Sequence, residues 1–232
     1  STLGPSIRAA CNRFGLPLAI HKARDGYVNR WRACKNLITW GVKWKSSYYR
    51  RGRRNVLYLE NGLLCQRSGV YVDHCGYFAD SSIATEEQPS PTASEVAYMQ
   101  SHVRRHLGYD WWQGGDPHGP ILLAGQMPRD CSVRYHYAGA AINGETLASL
   151  CATHLPYGVP VVYRPHPRAG VDAIPSDMPE WWSIDDGRPI RERIMSCRAV
   201  VTITSTVATE AAAAGVPVYC LGRGAWIGSG AV

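Results

Sequence analysis

Four short apolar runs punctuate the second half of the chain: Ile121-Leu122-Leu123-Ala124, Val159-Pro160-Val161-Val162-Tyr163, Ala199-Val200-Val201-Thr202-Ile203 and Val216-Pro217-Val218-Tyr219. A strand that is apolar at successive positions must be covered on both faces, which is the condition of a strand inside a parallel sheet. The intervening segments carry helical patterns. Gly144 to His154 places Leu147, Leu150 and Cys151 on one face, Ile190 to Cys197 reads as a short helix, and Val207 to Ala214 is a helix stopped by Gly215. Strand–helix–strand units of this length predict an α/β fold, a parallel sheet covered by helices, with ligands at the carboxyl edges of the strands.

The first half has a different texture, with short strands joined by polar loops. Val56-Leu57-Tyr58-Leu59 is the clearest strand, leaving through an Asn61-Gly62 turn that sets Glu60 at its carboxyl edge, and Val70-Tyr71-Val72 is the next. After the loop Pro89–Thr92, Thr92 or Ser94 is expected to cap a helix running through Glu95 toward Arg105. Gly114–Pro120 reads as the linker between two domains, 1–115 and 116–232.

Of the 232 residues, 45% are apolar and 19% charged, which excludes a disordered chain. No apolar stretch approaches the roughly 20 residues of a membrane span, and no secretory signal pattern opens the chain. The net charge of +7 is unevenly placed: residues 1–60 hold 13 Lys and Arg against 2 acids, and residues 61–232 hold 12 against 16. Such asymmetry predicts one electropositive face for a polyanionic partner. The 8 cysteines are spread almost evenly with no CxxC, so buried free thiols in a reducing compartment are expected. Zinc sites want paired ligands at short spacing, and only His74-Cys75 lie close together.

Three loops leave the strands on one predicted sheet edge, each with groups suited to an anion. They are Gly125–Ser132, Arg164-Pro165-His166-Pro167 with its two backbone-restricting prolines, and Thr204-Ser205-Thr206 at a helix start. Glu210, one turn into that helix, is placed to accept hydrogen bonds from ribose hydroxyls. Each element alone has an ordinary reading as a cap, a surface acid or a structural histidine. Their convergence predicts a nucleotide-sugar site.

In this order, Trp40-Gly41, LENG at 59–62, VDHCGYFADSS at 72–82, GQMPRDCSV at 125–133, RPHP at 164–167 and TSTVATEAAAAGVPVYCLG at 204–222 resemble GT-B-fold glycosyltransferases. The likeness is to bacterial capsule-polysaccharide biosynthesis proteins, including the β-Kdo transferases, and to related phage enzymes. It implies two small Rossmann-like lobes with parallel sheets facing a central cleft, a nucleotide-sugar donor on the C-terminal lobe, and no obligatory metal or other cofactor. Carried over by position, Gln126, Asp130, Ser132, Arg164, His166, Thr204, Ser205, Thr206 and Glu210 line the donor side. Glu60 is the expected catalytic carboxylate, with Asp130 in reserve and His166 beside the leaving phosphate. The family pattern has two adjacent acids before the glycine, whereas Asn61 stands second here. The chain is also short for two lobes, so a closing helix beyond Val232 is expected.

Eleven basic residues and one acid lie between Lys22 and Arg54, interleaved with Tyr27, Trp31, Trp40, Trp44, Tyr48 and Tyr49. Basic groups contact phosphates and aromatic rings stack on bases, so Trp40, Lys43, Lys45, Arg50, Arg51, Arg53 and Arg54 are expected to hold the acceptor. Two acceptors fit. A hydroxymethylated pyrimidine in phage DNA is slightly favoured. The other is an acidic capsule or lipid-linked glycan, met by peripheral contact with the inner membrane face. Both place the enzyme in a bacterial or phage-infected cytoplasm. A non-catalytic nucleic-acid-binding module is the third reading.

Overall fold

The structure, a computed structural model, describes residue 13 and residues 36–40, 55–61, 64, 70–75, 80–110, 112–127, 130, 132–133, 144–169, 174–176 and 178–226. The chain divides into two compact units, Ser1–Lys35 and Asn36–Val232. Nearly all described residues belong to the second.

Strands β1 (Asn36–Trp40), β2 (Asn55–Asn61) and β3 (Val70–Asp73) form a three-stranded sheet in that order. β1 and β2 are parallel, as the resemblance implies, but β3 runs antiparallel to β2, with Glu60 opposite Tyr71. The connection over residues 62–69 is too short for the crossover of a dozen or more residues that a parallel return requires. β2 also continues through Asn61, where a turn was expected.

Helix α1 (Ser82–Thr85) follows, then α2 (Ala93–Leu107). The start of α2 was legible: Thr92 Oγ1 accepts from the Glu95 amide while Glu95 Oε2 accepts from the Thr92 amide at 2.8 Å, a reciprocal capping box. Gly108, in the left-handed region at φ 80, ends the helix.

The second sheet contains β4 (Ile121–Ala124), β5 (Val161–Arg164), β6 (Trp182–Ile184), β7 (Ala199–Thr202) and β8 (Val218–Cys220). All five are parallel, in the order β6-β5-β4-β7-β8. Three helices alternate with these strands: α3 (Gly144–His154), α4 (Ile190–Met195) and α5 (Val207–Ala214). Side chains alternate across the strands as the period of two demands. Leu122, Val200 and Val218 pack with residues of α2, α4 and α5 on one face; Leu123, Val201 and Tyr163 pack with Leu147, Ala148 and Cys151 of α3 on the other. The order reverses at β4, where one connection goes to β5 and the later one arrives at β7. This is the switch point at which doubly wound sheets open a crevice.

α2 therefore shares a core with the strands beyond the predicted linker, through Val103, Leu107 and Tyr109. The linker itself is stitched down: the Gly114 amide donates to the Ala214 carbonyl at 2.7 Å and the Asp116 amide to the Met195 carbonyl at 3.0 Å. A Cβ at Gly115 would stand 2.1 Å from the Cys197 carbonyl oxygen. Gly115→Ala is accordingly expected to cost about 1–3 kcal/mol through overpacking. Urea unfolding would register this as a lower midpoint at unchanged slope, and an unmoved midpoint would contradict the packing.

Of the expected buried thiols, two are buried among the described residues, while Cys75 and Cys220 are only partly so. Cys151 and Cys197 are buried, and burial pushes the thiol of Cys151 up to about 11 and that of half-buried Cys220 up to about 12. Such thiols stay protonated and unreactive near neutral pH.

Candidate donor site

The carboxyl ends of β4, β5 and β7 open into a pocket of about 610 Å³, within the range of ligand cavities. Ala124 and Gly125 form its floor from β4, Arg164 to Pro167 enter from β5, and Ser205, Thr206, Val207 and Glu210 come from the start of α5. His106 and Leu107 of α2, with Pro189, Ile190 and Arg191, complete the lining. Of the predicted donor-side residues, Arg164, His166, Ser205, Thr206 and Glu210 thus meet around one space.

Arg164 is fixed from behind. Its Nη1 donates to Asp185 Oδ2 and, at 2.7 Å, to the Arg188 carbonyl. Asp185 lies just beyond β6, its side chain 2% exposed, and its other oxygen accepts from Arg193 Nε. One buried carboxylate therefore holds two guanidinium groups, and Arg193 reaches on to Asp186. Arg164 keeps N–H groups for a ligand while its orientation is set by the protein.

His166 is also oriented. Its Nδ1 accepts from the Arg168 amide at 3.1 Å, so the neutral ring carries its proton on Nε2. Burial lowers its pKa below the ordinary histidine value; the Asp130 carboxylate opposes this and Arg168 reinforces it. The resulting neutral ring presents one N–H donor.

Glu210 enters the pocket from the first turn of α5, and burial raises its carboxyl pKa. Its backbone carbonyl accepts from the Tyr109 hydroxyl at 2.6 Å, tying the end of α2 to α5. The cap of α5 differs from expectation: Thr206, with backbone already in the helical region, makes no side-chain cap, and Ser205 Oγ instead accepts from the Val207 amide at 3.3 Å.

Four predicted residues are used among themselves. Gln126, Ser132 and Thr204 are buried. Gln126 Oε1 accepts from the Thr204 amide at 2.6 Å, its Nε2 donates to Thr204 Oγ1 at 3.1 Å, and Thr204 Oγ1 donates to Ser132 Oγ at 3.0 Å. Asp130 Oδ1 accepts from the amide and hydroxyl of Ser132. This network joins the loops after β4 and β7, and none of its four residues is among those lining the pocket.

Glu60 lies in β2, its side chain outside the described residues, as is that of Trp40 in β1. Lys43, Lys45, Arg50, Arg51, Arg53 and Arg54 lie wholly outside them. Asp185, Arg191, Arg193 and His106 were not anticipated. The only sequence signal for Asp185 was its place after the short run Trp182-Ser183-Ile184. Among the described residues, no helix is long and apolar enough to cross a membrane.

No family model matches the chain, and no curated protein matches it in sequence. Solved structures do match it. The β-Kdo 2,7 transferase of Thermosulfurimonas dismutans KpsC aligns with a TM-score of 0.68 at 20% identity, over 98% of this chain and 79% of that one. The β-Kdo 2,4 transferase of the same KpsC aligns with a TM-score of 0.59 at 18% identity, over 84% of this chain and 71% of that one. The chain shares its fold with β-Kdo transferases of the kind that its motifs from Trp40 to Gly224 resemble.

Proposed function

We propose that this chain is a nucleotide-sugar-dependent glycosyltransferase of the capsule type, moving an acidic, Kdo-like sugar onto an acidic glycan. The observation that carries the reading is the meeting of Arg164, His166, the start of α5 and the carboxylate of Glu210 in one pocket at the sheet's switch point. In this reading, the second sheet with α2 is the donor side of a two-lobed cleft, and the first sheet, β1 to β3, belongs to the acceptor side.

Sugar transfer needs positive groups where charge develops on the departing phosphate and a base for the acceptor hydroxyl. Arg164, the Nε2–H of His166 and the amino end of α5 serve the phosphate, so the reaction proceeds without an obligatory metal. Glu210 accepts from the ribose hydroxyls. Glu60 takes the acceptor proton, with Asp130 less suited because Ser132 already occupies one of its oxygens. Gln126, Ser132 and Thr204 hold the loops in place. Arg191, which also lines the pocket, adds a positive charge that suits the carboxylate of an acidic sugar.

The fold neighbours are β-Kdo transferases, and on their support we place the acidic glycan ahead of DNA; the preference for hydroxymethylated pyrimidine in DNA has no support from them. The charge of residues 1–60 fits an acidic glycan equally well. The test is nucleotide release from a panel of cytidine, uridine and guanosine sugar nucleotides, with an acidic oligosaccharide or hydroxymethylated DNA as acceptor. Turnover with the oligosaccharide is expected. A sugar-modified nucleoside would restore DNA as acceptor, and no release from any donor would leave a binding module and overturn the transferase reading.

A further inference from the structure

The His74-Cys75 pair noted in the sequence stands apart from the donor pocket, at the end of β3. An oxygen of Asp73, a ring nitrogen of His74 and Sγ of Cys75 lie within 4.8 Å of one another. Glu86, which follows α1, joins them. Its Oε1 is 3.1 Å from Cys75 Sγ and 3.3 Å from His74 Nε2. Around a tetrahedral zinc ion, with bonds of about 2.3 Å to sulfur and about 2.0–2.2 Å to nitrogen and oxygen, neighbouring ligand atoms stand about 3.4–3.6 Å apart. The two spacings to Glu86 need only small expansion to admit the ion, and the Asp73, His74 and Cys75 atoms, within 4.8 Å of one another, are near enough to close around it.

The backbone bearing these groups is itself held. Asp73 is buried; its Oδ1 accepts from the Cys75 amide at 2.7 Å, and its Oδ2 accepts from the Ser82 amide at 2.9 Å, from the Ser82 hydroxyl and from the Tyr71 hydroxyl. Glu86 is fixed from the other side: its amide donates to the Ser82 carbonyl at 2.9 Å, and its carbonyl accepts from Gln88 Nε2 at 3.0 Å. The side chains of His74 and Glu86 are 65% and 50% exposed, leaving an open path for an ion. Outward-facing ligands on an anchored backbone, of mixed sulfur, nitrogen and oxygen type, match the preference of zinc rather than of magnesium or calcium.

We propose that His74, Cys75 and Glu86, with the carboxylate of Asp73, form a structural site for a zinc-like divalent cation that clamps the end of β3 to the end of α1. The site is independent of the donor pocket and of the transferase reading, so its failure would leave that reading untouched.

The test titrates the full chain with Co²⁺ and follows absorption. One Co²⁺ per chain with a thiolate-to-cobalt charge-transfer band is expected. Cys75→Ser abolishes the band, and His74→Ala and Glu86→Ala each weaken Co²⁺ binding by about tenfold or more. Zn²⁺ displaces the cobalt and raises Tm in the wild type but not in the His74→Ala/Cys75→Ser double variant. Absence of the band, its persistence in Cys75→Ser, or unchanged affinity in both the His74 and Glu86 variants would overturn the proposal. Because cobalt absorption reports on the ligand set, a variant that merely loses stability is distinguished by the far-UV circular dichroism of the same sample.

Discussion

Asp185→Asn is expected to destabilise the protein by about 3–5 kcal/mol, the usual cost of removing one partner from a buried ion pair. The wild-type carboxylate is almost wholly buried and is shared by Arg164 and Arg193, whose side chains are 20% and 9% exposed. An amide keeps the shape and loses the charge, so Arg164 is left with the Arg188 carbonyl and Arg193 with Asp186 as their remaining partners. For a chain of this size the loss corresponds to a fall in Tm of about 6–20 °C, readable by thermal denaturation. Part of it should return in Asp185→Asn combined with Arg193→Met, because the second change removes one of the stranded charges. A Tm equal to wild type in the single variant would show that the network does not hold the loop. Nucleotide-sugar binding should weaken in the same variant, since Arg164 is aimed by this carboxylate.

The second large effect belongs to the chemistry. His166→Ala is expected to lower kcat for nucleotide release by about 10²–10³-fold, the range for losing a donor to a developing negative charge. Tm should change little, because the ring makes a single described hydrogen bond, from the Arg168 amide. An unchanged kcat would remove His166 from the proposed mechanism. The same residue has a pH signature. Its folded-state pKa is lowered by burial, so the unfolded chain takes up the proton first as pH falls. Its contribution to stability is intact above the ordinary histidine value and is lost as pH falls from there through the lowered folded-state value, and the Ala variant should lack that component of acid destabilisation.

Where the sequence carried a local physical signal, it located elements closely. Thr92 and Glu95 announced α2, Gly215 at φ 79 stopped α5, and the apolar runs at β4 and β7 could only be buried strands. β6 escaped because its three residues include two exposed side chains, and only the register with β5 makes it a strand. The direction of β3 was hidden for a related reason: it depends on the length of the connection and not on the strand's own pattern. Among the site residues, Arg164 and His166 were legible because prolines on either side of His166 limit where the chain can go. Gln126, Ser132 and Thr204 were recognised as polar groups at a sheet edge, but residue type does not say whether such groups face a ligand or one another. Asp185 was invisible because a carboxylate beside Asp186 and Arg188 looks like an ordinary surface cluster until β6 brings it beneath Arg164.

The Gln126 network has a consequence for how the pocket would change over time. Because one amide side chain spans the ends of β4 and β7, substitution there would disturb two loops at once and leave buried donors and acceptors unmatched. Residues on the rim, His106 and Arg191 among them, carry no such obligation and can vary singly. Divergence toward a new sugar should therefore proceed at the rim while the clamp stays constant, a division of labour that a library varying the two sets separately would expose.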